Sequence, residues 1–268
     1  MNNSIIIPIF RIKIPKFGKR GGDMRFSEYT TISPMGDAAI RIEFNEAMSV
    51  QQYHMMQLLI QHIEDAELPY EEIVPSFQVI TILFNPLDVK KKIYNRQNPY
   101  QWLEEKICII LQQEITVTEQ MEEVVEIPVC YGGEFGPDLE EVANYHGITP
   151  GEVIQKHTER DYFVYMLGFA PGFPYLGGLD ESLATPRKQT PRLKIEAGSV
   201  GIAGSQTGVY SIETPGGWQI IGRTPTALFT PEAENPTLLR AGVWIRFYPI
   251  SIEEYHALKG ESLCQSLA

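Results

Sequence analysis

Three arginines stand beside Thr-Pro pairs. Arg187 and Arg192 each close a Thr-Pro-Arg triplet, and Arg223 opens Arg-Thr-Pro. A guanidinium is suited to planar, two-pronged recognition of carboxylate or phosphate, and a neighbouring proline stiffens the loop that carries it. The chain as a whole is acidic, with a net charge of −12. Three cations converging on one concave face, with few carboxylate partners, would therefore mark an anion site. Three structural arginines would each hold their own Asp or Glu. Between them runs AGSVGIAGSQTGVY, residues 197–210. Its glycines free the backbone to present N–H groups, and Ser199, Gln206 and Thr207 add two hydroxyls and an amide for a polar ligand. Residues 168–178 read GFAPGFPYLGG. Proline and glycine forbid a helix there, and the run is too apolar for an ordinary solvated loop. It is either a tight turn carrying core aromatics or a rigid binding loop, with Phe169, Pro171, Gly172, Phe173 and Tyr175 as its wall. Trp218, after Gly216-Gly217, reads equally as a core residue or a stacking surface.

Other chemistry is thinner. Gly198-Ser199-Val200-Gly201 lacks the spacing of a nucleophile elbow. His157 with Glu159 could pair a general base with its orienter, or simply close a helix. The five histidines show neither HxH nor HExxH spacing, so no metal site is expected. There is no P-loop, no kinase signature set, no GxGxxG after a strand and no Met-Lys-Met biotin site. The net negative charge argues against nucleic acid, and no apolar run reaches the length of a membrane span. Cys108, Cys130 and Cys264 are odd in number and far apart, which suggests a reduced, cytoplasmic protein.

Those residues need elements to hold them. Residues 38–44 alternate like a half-buried strand. Ser49 and Gln52 form a capping-box pattern before a helix with Val50, Tyr53, Met56, Ile60 and Ile63 on one face. Residues 77–84 read as a central strand, Asn98-Pro99 as the start of a helix burying Trp102, Leu103, Ile107, Ile110 and Leu111, and residues 124–130 as a closing strand. This predicts a small α+β domain over 24–128. A helix over 138–146 should end at Gly147, and Thr149-Pro150-Gly151-Glu152 should cap another. Short strands then follow, clearest at 200–210, 218–221, 226–229 and 243–248, broken by Gly and Pro. They predict an antiparallel barrel or sandwich over 129–268.

Residues 1–23 differ from the rest, with Arg11, Lys13, Lys16, Lys19 and Arg20 against Asp23 alone. The basic residues follow the apolar stretch rather than precede it, unlike a signal peptide. Lys19 to Asp23, encoded by purine-rich codons, sit before Met24 as a translated ribosome-binding site would. Residues 1–23 are accordingly expected to be a non-native or disordered extension.

Gly36-Asp37-Ala38-Ala39, Val74-Pro75-Ser76-Phe77 and Tyr131-Gly132-Gly133-Glu134-Phe135-Gly136-Pro137-Asp138-Leu139 are the first of a series of long motifs. It continues through VYMLGFAPGFPYLGGLD, ATPR, AGSVGIAG, QTGVY, PGGWQIIGRTP and AGVWIRFYPI. In these the chain resembles the family of 5-oxoprolinase B subunits, also described as allophanate hydrolase subunit 1 or KipI-like kinase inhibitors. Glu196 stands where that pattern has proline and Ser205 where it has a second glycine, which leaves the loop geometry over 196–205 open. The resemblance implies an α+β protein with a C-terminal cyclophilin-like β-barrel. It implies ATP-dependent opening of 5-oxoproline to glutamate, with Mg expected alongside ATP. The work would be done in a complex with two other proteins, the sister C subunit, which has a related barrel, and the A subunit. The regulatory alternative is a protein that binds and inhibits a sporulation histidine kinase; a third is a subunit of allophanate or urea metabolism. Arg187, Arg192, Arg223, Gln206 and the glycine-spaced N–H groups are the candidates for phosphate, carboxylate or oxyanion. Phe173-Pro174 or an adjacent X-Pro bond is a candidate cis peptide.

Overall fold

The computed structural model describes residues 9–13, 24–93, 97–115 and 121–266. The chain divides into two units, Ile14–Gln120 and a larger one made of Met1–Lys13 with Met121–Ala268. The first described strand, β1 (Ile9–Lys13), belongs to the larger unit. Of the expected non-native or disordered extension over residues 1–23, Ile9–Lys13 form a strand paired with Met121–Val125; residues 1–8 and 14–23 lie outside the described part.

The smaller unit opens with β2 (Met24–Arg25), β3 (Thr30–Pro34) and β4 (Ala39–Phe44). Helix α1 (Val50–Asp65) follows, with the Ser49 side chain accepting the Gln52 N–H at its start. The expected reciprocal bond is absent: Gln52 is buried and both polar atoms of its amide lack a partner. A hairpin, β5 (Glu72–Ser76) and β6 (Val79–Leu83), turns at Phe77, which adopts φ 51°. Residues 77 and 78 thus make the turn rather than start the strand. Helices α2 (Pro86–Lys91) and α3 (Pro99–Leu111) start with Asn caps and Pro at the first turn, and β7 (Glu114–Ile115) pairs with β2. The sheet order β3-β4-β6-β5 is antiparallel throughout. Alternation in β4 and β6 buries Ile40, Ile42, Ile80 and Ile82, and the helices bury Leu59, Ile63, Leu103 and Ile107. Trp102, expected inside, is only half-buried.

The larger unit resumes with β8 (Met121–Tyr131). This strand is read from sequence as the end of the first domain, and its place is corrected here. It is long enough to pair with β1, with β15 and with β16, and so belongs to the barrel. Helix α4 (Leu139–His146) ends at Gly147 in the left-handed region, and α5 (Pro150–Thr158) carries the complete Thr149–Glu152 capping box. The strands that follow are β9 (Asp161–Leu167), β10 (Pro174–Gly177), β11 (Arg192–Ile195), β12 (Ser199–Ala203), β13 (Gln206–Val209), β14 (Thr214–Gly216), β15 (Gln219–Arg223) and β16 (Trp244–Pro249). Helix α6 (Ile252–Ser266) closes the order.

The sheet runs β1-β8-β15-β12-β13-β10-β9-β16, and β16 returns to β8. That closes seven strands into a barrel, with β1 added outside the ring. The closing β8–β16 pair is parallel and the other pairs are antiparallel; in a closed ring of seven strands, six antiparallel steps leave the last pair parallel. The barrel core is Ile127, Val129, Val164, Leu176, Val200, Ile202, Val209, Ile221, Ile245 and Phe247, capped by residues of α4 and α5. Residues 226–229, expected as a strand, hold only an isolated bridge between Phe229 and Thr237. The small two-stranded sheet β11–β14 lies apart from the barrel ring.

Candidate functional site

The run GFAPGFPYLGG joins β9 to β10. Gly168 N–H donates to the Phe173 carbonyl at 3.0 Å, and Phe173 N–H to the Ala170 carbonyl at 3.0 Å, which makes a closed turn. No cis peptide bond occurs among the described residues, contrary to the expectation at Phe173-Pro174. Reversal comes instead from positive φ, +68° at Phe169 and +74° at Gly172. A side chain at Gly172 would press on the Leu228 carbonyl and Phe229 at 3.1 Å, so glycine is required there on both counts. Phe169 in that region is unusual for a bulky residue; the residue is 66% exposed.

The run carries a core aromatic and also borders a cavity. Phe173 is buried and sits at the centre of an aromatic group. Its ring meets Phe169 at 5.4 Å, Tyr175 at 5.4 Å, Tyr210 at 5.6 Å and Trp218 at 5.6 Å, each edge to face. Ile195, Ala203 and Ile220 pack behind them. Gly216 allows this: a Cβ there would lie 2.3 Å from the Tyr210 hydroxyl. The front of the group is the wall of a cavity of about 410 Å³, lined by Phe169, Phe173, Tyr175, Tyr210, Trp218 and Arg187, with Pro191, Pro215 and the Gly216-Gly217 backbone. Trp218 is both core and wall. Burial pushes the Tyr210 hydroxyl up to about 12, with Arg187 and Arg192 pulling the other way.

The three arginines do not converge. Arg187 is exposed on the cavity rim and has no carboxylate within ion-pair distance among the described residues. Arg192 turns inward and donates to Asp138 Oδ1 at 2.6 Å, reaching the Trp218 carbonyl at 3.4 Å. Arg223 is on β15, where it pairs with Glu196 and lies 5.7 Å over the Phe135 ring. Phe135 belongs to a different cluster, with Cys130 and Tyr255. The separation has a plain cause. Arg187 lies in the loop before β11, whereas Arg223 is fixed by strand register opposite Ser199 and Cys130. Glu196 is the residue that neutralises it.

The glycine-spaced stretch is also not free for a ligand. It folds as the β12–β13 hairpin around Gly204-Ser205, with Ala203 opposite Gln206. Ser199 and Thr207 are buried, and only Gln206 is partly exposed. Thr207 accepts from His157 Nε2 at 2.9 Å and donates to the Gly201 carbonyl at 3.1 Å; on that assignment His157 Nδ1 accepts from the Tyr131 hydroxyl at 2.8 Å. Burial pushes the His157 imidazole down to about 3, so it is neutral. Glu159 does not orient it but accepts from Gln155. This network is satisfied from end to end and is structural. Pro171 contributes its carbonyl, which accepts from Ser211 Oγ at 2.5 Å, rather than a face to the cavity.

Sequence reasoning missed Asp138. Its carboxylate is 3% exposed and accepts from Lys188 Nζ at 2.9 Å, from Arg192, and from the Ile220 N–H at 2.7 Å. Burial opposes its charge, but hydrogen bonds from Arg192, Lys188 and Ile220 outweigh that and hold the carboxyl below the usual range. Its place in the Tyr131–Leu139 motif was the available signal. Among the described residues no group of three or more His, Cys, Asp or Glu could hold a metal ion, and no helix is long and apolar enough to cross a membrane.

Comparison with known proteins agrees with this architecture. The carboxyltransferase domain, subdomain C and D, matches residues 30–239. The 5-oxoprolinase B subunit of Bacillus subtilis (strain 168) is 48% identical over 233 residues, which is 86% of this chain and 97% of that protein. The 5-oxoprolinase B subunit of Haemophilus influenzae is 40% identical over 222 residues, 83% of this chain and 99% of that one. The crystal structure of TTHA0988 superposes with a TM-score of 0.62 at 34% identity, covering 80% of this chain and 40% of that one. The K. lactis urea amidolyase shares the fold at 20% identity and TM-score 0.67, covering 95% of this chain and 16% of that one. With a barrel of this construction and near-full-length similarity to two such proteins, the chain belongs to the family of 5-oxoprolinase B subunits, built on the carboxyltransferase domain, subdomain C and D.

Proposed function

We propose that the chain is a subunit of an ATP-dependent 5-oxoprolinase complex that opens 5-oxo-L-proline to L-glutamate, and that the aromatic cavity binds the carboxylate-bearing ring through Arg187. One observation carries this reading. Arg187 is a cation without a carboxylate partner among the described residues, on the rim of a cavity whose wall is aromatic. A small, flat, five-membered lactam with one carboxylate has that chemistry: an apolar ring face for Phe173, Tyr175 and Trp218, and an anion for the guanidinium.

The lactam is a stable amide. Phosphorylation of its oxygen activates the ring carbon to attack by water. The adduct then breaks its ring C–N bond, the nitrogen leaving protonated, and the glutamyl phosphate so formed is hydrolysed by a second water to glutamate and inorganic phosphate. This chain does not fit the nucleotide that such a step needs. Its Gly201 and Gly208 lie in the β12–β13 pairing, its Gly198 and Gly204 N–H groups donate to the Tyr210 and Thr185 carbonyls, and its hydroxyls at Ser199 and Thr207 are buried. We therefore assign ATP, with its Mg, to the complex assembled with the A and C subunits, and the ring-carboxylate contact to this chain. The test is glutamate formation by the chain alone and reconstituted with both partners. The chain alone should give none. Arg187→Ala should lower kcat/KM of the complex by about 2–4 kcal/mol in transition-state terms. Full turnover by the single chain would refute the division of labour, and an unaffected Arg187→Ala complex would refute the role of the cavity.

A further inference from the structure

Asp138 is not among the residues that line the cavity, but its hydrogen-bond partners adjoin two segments that do. Its backbone N–H donates to the Ile220 carbonyl at 2.9 Å, while its carboxylate receives the Ile220 N–H in return. That fixes it to β15, two residues beyond Trp218. The other carboxylate oxygen receives Lys188 and Arg192, the residues one and five places after Arg187. With side chains 188 and 192 drawn inward, side chain 187 is left at the rim, where it lines the cavity. Supporting bonds fix the same segment. Lys188 N–H donates to the Gly217 carbonyl at 2.7 Å, the Gln219 amide to the Pro186 carbonyl at 3.1 Å, and Thr185 bridges Gly204.

Charge balance points the same way. Lys188 also binds Glu141 at 2.7 Å. Asp138 and Glu141 together neutralise Lys188 and Arg192, so the positive charge presented to the cavity is that of Arg187. A buried carboxylate with several charge-assisted donors is costly to disturb, because removing the charge strands its partners.

We propose that Asp138 is a positioning residue that holds the 185–192 segment in the conformation placing Arg187 over the aromatic wall. The proposal rests on the cavity reading above for its effect on activity. Its effect on the segment stands independently. The experiment compares Asp138→Asn, Arg187→Ala and the double variant in the reconstituted complex, with hydrogen exchange measured at the Lys188 amide of the same proteins. Asp138→Asn should lower kcat/KM at least tenfold, mostly through KM. The double variant should be within about twofold of Arg187→Ala alone, because Asp138 acts through Arg187. Exchange at Lys188 should rise at least tenfold in Asp138→Asn, with α5 amides unchanged. Losses that multiply, or unchanged exchange at Lys188, would overturn the proposal. If Arg187→Ala is silent while exchange rises, the cavity reading fails and the positioning of the segment stands. Should Asp138→Asn fail to fold, Lys188→Met removes one tether alone and should show the same coupling with a roughly threefold loss; additivity there would overturn the proposal equally.

Discussion

Two regions of the barrel unit carry residues with the chemistry of a site, and they end in opposite conditions. Around Thr207, every polar group is closed on another: Tyr131 to His157, His157 to Thr207, Thr207 to Gly201. Around Phe173, the apolar part is just as well packed, but one guanidinium at the rim is left without an acid among the described residues. Side-chain type alone does not distinguish the two. The difference is whether the fold itself uses up the group's hydrogen-bonding and charge capacity, since a satisfied buried polar group has little left for a ligand. Substitutions in the first region should therefore change stability, and substitutions at the rim of the second should change activity.

The comparison can be broken most severely at Phe173, where the wall is also core. Phe173→Ala should destabilise the unit by about 3–5 kcal/mol, read as a lowered denaturant midpoint, because four aromatic neighbours lose their common contact. A loss under about 1 kcal/mol would show that the aromatic group is a surface feature. Next in size is Arg187→Ala, with about 2–4 kcal/mol lost in the activity of the complex but stability within about 0.5 kcal/mol. Equal losses in both measurements would erase the contrast between rim and core.

The third effect is a pH dependence. His157 is neutral in the fold at about 3, against an ordinary 6.5. The unfolded chain thus takes up a proton that the folded chain refuses as pH falls below about 6.5, and stability drops with it down to about pH 3. Between pH 7 and pH 5 the loss from this residue should be about 2 kcal/mol. His157→Gln should flatten that slope in thermal melts taken across the range; an unchanged slope would show that the imidazole is accessible to solvent. The smallest effect belongs to Phe169, a non-glycine residue at φ +68°. Phe169→Gly should relieve about 1 kcal/mol of backbone strain and raise the melting temperature slightly, while exposing the Phe173 edge of the cavity. A lowered melting temperature would mean that the Phe169–Phe173 contact outweighs the strain.

Much of the molecule was legible as a string of residues. Ser49, Asn98 and Thr149 mark helix starts because capping is local chemistry, settled within four residues. Alternation at 39–44 and the Gly/Pro-broken strands after residue 160 give the α+β class and the barrel, because a strand's two faces are written at every second position. The aromatic run at 168–178 announces a packed turn, and Phe169, Phe173, Tyr175, Arg187 and Trp218 could be nominated for the cavity from residue type and context. Tertiary structure alone decided the rest. Whether β8 ends one unit or closes the other depends on partners more than a hundred residues away, β16 foremost. Thr-Pro beside Arg is the same local context at 187, 192 and 223, yet one arginine faces the cavity, one a buried aspartate and one a glutamate on a neighbouring loop. Long-range register and the supply of buried carboxylates set those outcomes, and neither is encoded in any short stretch of sequence. Asp138 shows this most clearly: an ordinary aspartate before a helix became the anchor of the 185–192 segment only when folding brought residues 50 and 54 positions away to its carboxylate.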